Sequence, residues 1–308
     1  MTNARAAGSL PATHALLALA VVAVWGTNFV VIHVALQALP PLALAAARFA
    51  LAFLPAALLV RRPAVPWTRL AAYGLLIGCG QFGLLYLALQ GRIAPGLASL
   101  LVQTQVFFTI GLAVLLEGRG PAGAERLRPH QGVALALAVA GLALLGLRSD
   151  AAGGTPAGVA MVLGAALAWA CGNVVGRGMG RADMLGVVVW SSVFAVPPLA
   201  VLSLVFEGPG LVAARLAGAG PLQAAAVLWQ AFGNTLFGYA AWGWLLARHP
   251  AGTVAPWALG VPVFGLASAA LVLGEPMPAW KLLACALVIS GLALNVLWPR
   301  WRTGGGAG

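Results

Sequence analysis

A few polar and aromatic side chains interrupt the long apolar runs of this 308-residue chain. Trp25, Thr27 and Asn28 fall in the middle of one run, and Trp169 and Asn173 fall in another about 145 residues later. A polar group in hydrocarbon must find a partner or line a cavity, because leaving it unsatisfied costs several kcal/mol. We therefore expect these residues to line a cavity that contacts a small solute.

The same positions have a second, structural interpretation. Gly26 and Gly172 stand among the polar residues and would let neighbouring helices approach closely. The two asparagines would then hydrogen-bond across helices and stabilise the bundle. Both interpretations are open from the sequence.

Two ionisable side chains also fall inside apolar runs. Arg48 is well inside one, and its guanidinium offers a planar fork that suits the carboxylate of a substrate. The alternative is that Arg48 caps a helix end or binds backbone carbonyls of a neighbouring helix. His33 lies near the end of the first run, where protonation near neutral pH could couple transport to a proton gradient; the alternative is an ordinary interfacial histidine.

Amides and aromatic rings at membrane depth complete the candidate site. Gln103 and Asn234 belong to this group and could donate or accept hydrogen bonds to a zwitterionic solute. With His33 as the coupling residue, the predicted substrate-binding residues are Trp25, Thr27, Asn28, Arg48, Gln81, Gln105, Trp169, Asn173, Tyr239 and Trp242.

Several kinds of chemistry are not expected. All six acidic residues fall at the ends of apolar runs or between them, which argues against a carboxylate proton relay. The three cysteines lie far apart with no metal-ligand spacing, and there is no phosphate-binding loop or hydrolase motif. We therefore expect neither an enzyme, nor a bound metal, nor a cofactor.

The composition indicates a bundle of membrane helices. Hydrophobic residues make up 62% of the chain and charged residues only 7%, with a mean hydropathy of +0.98. A soluble domain carries about 25% charged residues, so cytosolic, secreted and disordered classes are excluded. The net charge of +11 comes from basic residues standing singly or in pairs between apolar runs, which marks membrane topology rather than nucleic-acid binding. The expected partners are the lipid bilayer and a small-molecule substrate, and the oligomeric state stays open.

The apolar runs predict ten transmembrane helices. With the N-terminus in the cytoplasm, twelve of the 17 basic residues fall on the cytoplasmic side and four on the other, so both termini are expected inside. The predicted spans are His14–Leu36, Leu42–Val60, Leu70–Gln90, Ala94–Leu116, Gln131–Leu147, Ala157–Val175, Met184–Phe206, Leu222–Ala247, Gly252–Gly274 and Lys281–Trp298.

A weak internal repeat divides the chain in two. The segment around Trp25 recurs around Trp169, and Ala140–Leu144 recurs as Ser290–Leu294, with an extra piece in the first copy near residues 118–125. The repeat predicts two five-helix units, 14–148 and 156–298. Because five is an odd number of crossings, the second unit enters the membrane from the opposite side, which is the architecture of alternating-access transporters. The expected fold is all-α, with ten transmembrane helices in two inverted five-helix repeats.

The motifs resemble the EamA family of the drug/metabolite transporter superfamily. The resemblance extends over nearly the whole chain and is carried by Val24–Ile32, Pro40–Leu42, Arg48–Phe49, Gly96–Leu100, Ala168–Asn173, Val261–Ala270 and Gly274–Glu275. It implies ten helices in two inverted repeats in a bacterial inner membrane, and outward movement of small metabolites. The leading hypothesis is an exporter of amino-acid-type metabolites of the cysteine and O-acetylserine kind, working by alternating access. The alternatives are efflux of hydrophobic or cationic drugs, or a membrane scaffold that transports nothing.

Overall fold

The structure is a computed structural model that describes residues 10–117, 129–148, 154–180, 182–249 and 251–304. Within these ranges it is helical, and the β pairing is limited to one isolated bridge between Ile93 and Gly154. The extra piece that the repeat predicts near residues 118–125 lies outside the described ranges.

The helices are labelled α1 to α11 in chain order. Four of them change helical geometry along their length: α3 and α9 contain a π-helical segment, and α4 and α10 contain a 3₁₀ turn. The bounds are α1 Ala12–Leu36; α2 Pro41–Phe53; α3 Trp67–Leu89, with π-helix at Leu75–Gly83; α4 Pro95–Leu101 and Gln105–Glu117; α5 Pro129–Leu147; α6 Pro156–Arg177; α7 Met184–Phe206; α8 Pro209–Ala217; α9 Pro221–Arg248, with π-helix at Trp229–Phe237; α10 Ala251–Val254 and Gly260–Leu273; α11 Ala279–Gly304.

Each of the ten predicted apolar spans overlaps one of these helices, and α8 is an addition. Among the described residues, six helical segments are long and apolar enough to cross a membrane: α1, α2 together with the 3₁₀ turn Ala56–Leu58 that follows it, α3, α4, α6 and α7. The exposed helix α8 and the helix α9 pass that test only together and meet at an angle of 103°. The apolar stretches in α5, α10 and α11 are shorter. The chain is therefore an all-helical membrane protein with six or seven candidate spans by this criterion.

Short local signals begin most of the helices. Proline occupies the first turn of α2, α4, α6, α8 and α9, where its missing N–H has no helical partner to lose. The Thr155 hydroxyl accepts from the Gly158 N–H at 3.0 Å at the start of α6. The Asp183 carboxylate accepts from the Leu185 and Gly186 N–H groups at the start of α7. These caps fix where the connections end and the spans begin.

Helix packing is reciprocal between the two halves of the chain. Helix α1 packs on α10 and α9, and its counterpart α6 packs on α4 and α3. Three further contacts each join a helix to its own counterpart: α2 to α7, α4 to α10, and α5 to α11. Exchanging the halves therefore leaves this set of contacts unchanged.

Glycines allow the closest of these approaches. A Cβ atom at Gly26 in α1 would stand 2.5 Å from the Phe264 Cβ and 2.6 Å from the Val261 carbonyl oxygen of α10. Helices α5 and α11 approach each other equally closely. A Cβ atom at Gly141 in α5 would stand 2.8 Å from the Ala284 carbonyl oxygen of α11, and a Cβ atom at Gly291 in α11 would stand 2.6 Å from the Ala134 carbonyl oxygen of α5. The structural interpretation of Gly26 thus agrees with the fold.

We expect Gly26→Ala to destabilise the protein, because the added methyl group must displace backbone atoms of α10. Overpacking of this kind costs about 1 to 3 kcal/mol. The measurement is the thermal midpoint of purified protein in detergent, which should fall by several degrees. Gly111→Ala in α4 is the matched control, since no atom lies within 4 Å of its added Cβ. An unchanged midpoint for Gly26→Ala would contradict this packing.

Two carboxylates from the second half cap helices of the first half at one end of the bundle. Glu207, which follows α7, accepts from the Leu42 N–H at 2.6 Å and the Ala43 N–H at 3.1 Å at the start of α2. Glu275, which follows α10, accepts from the Gly96 N–H at 3.0 Å at the start of α4. Charge-assisted bonds to helix N-termini are among the stronger contacts of this type, so they tie the halves together at this end.

Candidate functional site

A cavity of about 360 Å³ lies between the two halves of the helix bundle. That volume falls in the range of small-molecule sites, which is about 300 to 1,000 Å³. Eight of the ten predicted substrate-binding residues line it: Trp25, Asn28, Gln81, Gln105, Trp169, Asn173, Tyr239 and Trp242. Helices α1, α3, α4, α6 and α9 contribute these side chains, so both repeats build the cavity.

Aromatic rings form one wall of the cavity. The Trp25 ring of α1 lies 5.6 Å from the Tyr239 ring and 5.3 Å from the Trp242 ring, both in α9. The Trp25 Nε1 donates to the backbone oxygen of Asn234 at 3.1 Å, which fixes the indole. Gly238 leaves room for this ring, since a Cβ there would overlap the Trp25 indole. The wall is therefore rigid on its α1 and α9 sides.

Four of the six amide side chains that line the cavity fall into two classes. In the first, the Asn173 Nδ2 donates to the Gln105 Oε1 at 2.8 Å, so α6 and α4 are joined as the structural interpretation expects. In the second, the Asn28 Oδ1 and the Gln81 Oε1 are buried and have no hydrogen-bond partner. Both of these residues are only 3% exposed. An unpaired buried acceptor is costly, so the second class is free to bind a ligand.

The two π-helical segments position the polar side chains. Each is nine residues long; they begin 154 residues apart and lie in α3 and in its counterpart α9. The first contains Gln81, and the second contains Gln230, Asn234 and Thr235. A π-helical turn widens the helix and rotates the side chains that follow it, and such turns are frequent at functional sites. A regular period of 3.6 residues therefore does not predict the directions in which these side chains point.

Arg48 does not line the cavity. Its side chain is fully buried, and its Nε and Nη2 donate to the Thr235 Oγ1 at 3.0 and 2.9 Å. Its Nη1 donates to the Tyr86 hydroxyl at 3.0 Å, and its guanidinium carbon lies 3.9 Å from the centre of the Phe82 ring. None of these partners is a carboxylate or a backbone carbonyl, so neither sequence interpretation describes its contacts in this conformation.

The partners of Arg48 are themselves held in place. The Tyr86 hydroxyl donates to the Gln230 Oε1, and the Thr235 hydroxyl donates to the Gln230 backbone oxygen at 2.8 Å. Aromatic faces and hydroxyl dipoles thus replace a counter-ion around a buried cation. The network joins α2, α3 and α9, and it fixes one side of the cavity wall.

An aromatic partition separates Arg48 from the cavity. A second pocket of about 10 Å³ touches Arg48, and Tyr73, Phe82 and Tyr239 line both this pocket and the large cavity. The space beside Arg48 has room for about one water molecule. The face of this partition that borders the cavity therefore presents aromatic rings and not the guanidinium.

The remaining predicted residues also lie away from the cavity lining. The Thr27 hydroxyl donates to the Ala23 carbonyl at 2.7 Å within α1, so it is used inside its own helix. The His33 side chain lies in the last turn of α1, where its Nδ1 is buried without a partner. The structure does not bring either residue into the set that surrounds the cavity.

Sequence reasoning missed Tyr73 as a cavity residue and missed Tyr86, Gln230 and Thr235 as partners of Arg48. One signal was present, because the chain has only three tyrosines and all three lie at the cavity or at Arg48. A tyrosine in a membrane helix carries a hydroxyl that must find a partner. That rule would have pointed to both tyrosines that were missed.

Comparison with known proteins identifies the family pattern. The profile of the EamA-like transporter family matches residues 12–147 and again residues 156–297. A protein of Escherichia coli (strain K12) named "Probable amino-acid metabolite efflux pump" is 40% identical over 93% of this chain and 95% of its own length. The protein of the same name from Salmonella typhimurium is also 40% identical, over the same shares of the two chains.

A solved crystal structure has the same fold. It is 21% identical to this chain, with a TM-score of 0.63, and the match covers 95% of this chain and 99% of that one. At this identity the likeness concerns the fold alone.

Proposed function

This chain belongs to the EamA-like transporter family, and from that premise we propose that it exports small amino-acid-type metabolites of the cysteine and O-acetylserine kind. Its family and the names of its relatives make it a multi-pass membrane transporter and not an enzyme. The relatives named as probable amino-acid metabolite efflux pumps support the class of substrate. Alternating access of the central cavity is the proposed mechanism.

One observation carries the proposal: the cavity between the repeats combines aromatic rings with amides, and none of the described residues in its lining is charged. A small zwitterion has no net charge, so it needs hydrogen bonds and modest ring contacts more than a counter-ion. We propose that the eight predicted residues in the lining contact it. Arg48 acts through Phe82 and Thr235 as a positioning residue in this conformation.

The proposed architecture has ten spans in two inverted five-helix units, 14–148 and 156–298, with both termini in the cytoplasm of a bacterial inner membrane. The reciprocal helix packing supports the two units. The cavity lining reaches Met184 at the start of α7 and Leu246 near the end of α9. In this orientation those residues lie at the cytoplasmic end, so the conformation is one that accepts substrate from inside. The caps made by Glu207 and Glu275 close the opposite end.

The test is counterflow in proteoliposomes loaded in turn with cysteine, O-acetylserine, other neutral amino acids and a cationic dye. Saturable exchange of amino acids is the expected result. Movement of the dye alone would favour drug efflux, and no flux from folded protein would favour a scaffold. A pH difference across the membrane adds a coupling arm: if His33 couples transport to protons, His33→Gln removes the pH dependence and leaves exchange at equal pH intact.

We expect Trp25→Ala to reduce amino-acid counterflow about five- to thirtyfold, because the indole forms the centre of the aromatic wall and such contacts are worth about 1 to 2 kcal/mol. The matched control is Trp67→Ala, which removes an exposed tryptophan outside the cavity. Equal losses in the two variants, at equal amounts of folded protein, would place the transported solute outside this cavity.

A further inference from the structure

We propose that Asn28 and Gln81 form the site for the protonated amino group of the transported solute. The proposal rests on the proposed function and deepens it, since it states which end of an amino-acid-type solute the cavity recognises. It predicts that an amine without a carboxylate binds, whereas a carboxylate without an amine does not.

The two amide oxygens of this site lack hydrogen-bond donors. The Asn28 Oδ1 and the Gln81 Oε1 are buried acceptors without a donor, in residues from α1 and α3 that line one cavity. Native proteins leave few buried acceptors unpaired, so each calls for a donor. An ammonium group carries three N–H donors, which is enough for two acceptors.

Aromatic rings line the same cavity as these two oxygens. Trp25, Tyr239 and Trp242 present aromatic rings to the same cavity, and ring faces attract a cation. The lining contains no lysine or arginine to repel an ammonium group. It also contains no aspartate or glutamate, so binding relies on dipoles and rings and stays weak enough for release on the other side.

The Arg48 guanidinium is separated from the cavity. Arg48 donates three hydrogen bonds to Thr235 and Tyr86, and the Phe82 ring borders both Arg48 and the cavity. A carboxylate in the cavity therefore finds no cationic partner there. Recognition of the amino group accordingly dominates selection among solutes of this class.

The experiment measures competition against labelled L-cysteine in proteoliposomes, at neutral pH with a reductant. The competitors are cysteamine, which keeps the amine and lacks the carboxylate, and 3-mercaptopropionate, which keeps the carboxylate and lacks the amine. We expect cysteamine to inhibit within about tenfold of unlabelled cysteine, and 3-mercaptopropionate to be at least about tenfold weaker than cysteamine, as the loss of one charge-assisted bond implies. The reverse order would overturn the proposal.

Two substitutions at Asn28 test the sign of the interaction. Asn28→Asp places a negative charge at the acceptor and should strengthen cysteamine inhibition at least about threefold, whereas Asn28→Leu should weaken it about tenfold. Thr27→Val is the matched control: this neighbour of Asn28 on α1 does not line the cavity and its hydroxyl donates to the Ala23 carbonyl within the helix, so the change should not alter the ratio between the two competitors. A weaker cysteamine effect in Asn28→Asp would show that the amide meets another group and would overturn the proposal.

The measurements separate a failure of the proposed transport function from a failure of the amino-group site. If folded protein exchanges no amino acid, the proposed function is wrong. If it exchanges cysteine while 3-mercaptopropionate competes better than cysteamine, the function stands and the amino-group site is wrong. Protein-free liposomes correct for passive movement of the amine.

Discussion

Arg48→Ala is expected to remove about 3 to 5 kcal/mol from the free energy of unfolding, because it empties the space of a fully buried side chain and breaks three hydrogen bonds. The bonds that it breaks join α2 to α3 and α9. We expect much less protein in the membrane and a large fall in the thermal midpoint of what remains. The measurements are membrane accumulation and thermal unfolding in detergent.

Two further variants identify the cause. Arg62→Ala is the matched control, since Arg62 also lies over an aromatic ring, 4.5 Å from the centre of Trp67, but is exposed. Its expected loss is within about 0.5 kcal/mol, as for surface positions. Arg48→Met keeps most of the volume and removes the charge. If Arg48→Ala and Arg48→Met both accumulate and melt normally but do not transport, Arg48 meets the substrate directly, as its sequence position first suggested.

The sequence is sufficient to predict the cavity because the physical rule behind it is strong. Polar groups at bilayer depth must be satisfied, so residues such as Asn28, Gln81 and Tyr239 can be picked out without a structure. The repeat predicts the contribution of the second half of the chain, since Trp169 and Asn173 occupy the positions in the second repeat that correspond to Trp25 and Asn28 in the first. The same rule cannot separate a side chain that is satisfied by protein from one that is free. Asn173 turns out to be bonded, and Asn28 has an unpaired oxygen.

Arg48 shows a different limit. Its depth is readable from the apolar run, but its direction depends on the rotation of α2 and on the residues opposite. The hydroxyl that it binds on α9 is Thr235, in a π-helical segment that ordinary helical periodicity does not predict. A sequence pattern therefore indicates the depth of Arg48 but neither its hydrogen-bond partners nor the partition formed by Phe82.

Lys281 is a related case, because its position at the start of a predicted span indicated only a topology signal. In the structure its side chain is almost fully buried, and its Nζ lies 3.2 Å from the Glu275 Oε2 and 3.3 Å from the Pro276 carbonyl. The other oxygen of Glu275 caps α4 through the Gly96 N–H. Glu275 thus links the first turn of α11, through Lys281, to the start of α4, through Gly96, at the end of the bundle opposite to the one that the cavity lining reaches.

Breaking this pair should have the second large effect. Lys281→Met leaves a buried carboxylate, and Glu275→Gln leaves a buried ammonium group, so each single variant should lose about 3 to 5 kcal/mol of stability. The double variant should recover much of that loss, since it leaves no uncompensated charge. Thermal midpoints of the four proteins measure this as a double-mutant cycle. Additive losses in the double variant would contradict a buried pair.

The same cycle bears on transport. An exporter of the proposed alternating-access type must open the end where Glu275, paired with Lys281, is bonded to α4, and a contact made in only one conformation biases the equilibrium by its own free energy. The double variant should therefore populate the outward-open conformation more than the unmodified protein. An engineered cysteine at Ser99, buried in α4 near this end, would report it as faster labelling by a membrane-impermeant reagent from outside. Unchanged labelling in a stable double variant would show that the pair supports the fold and does not hold the gate.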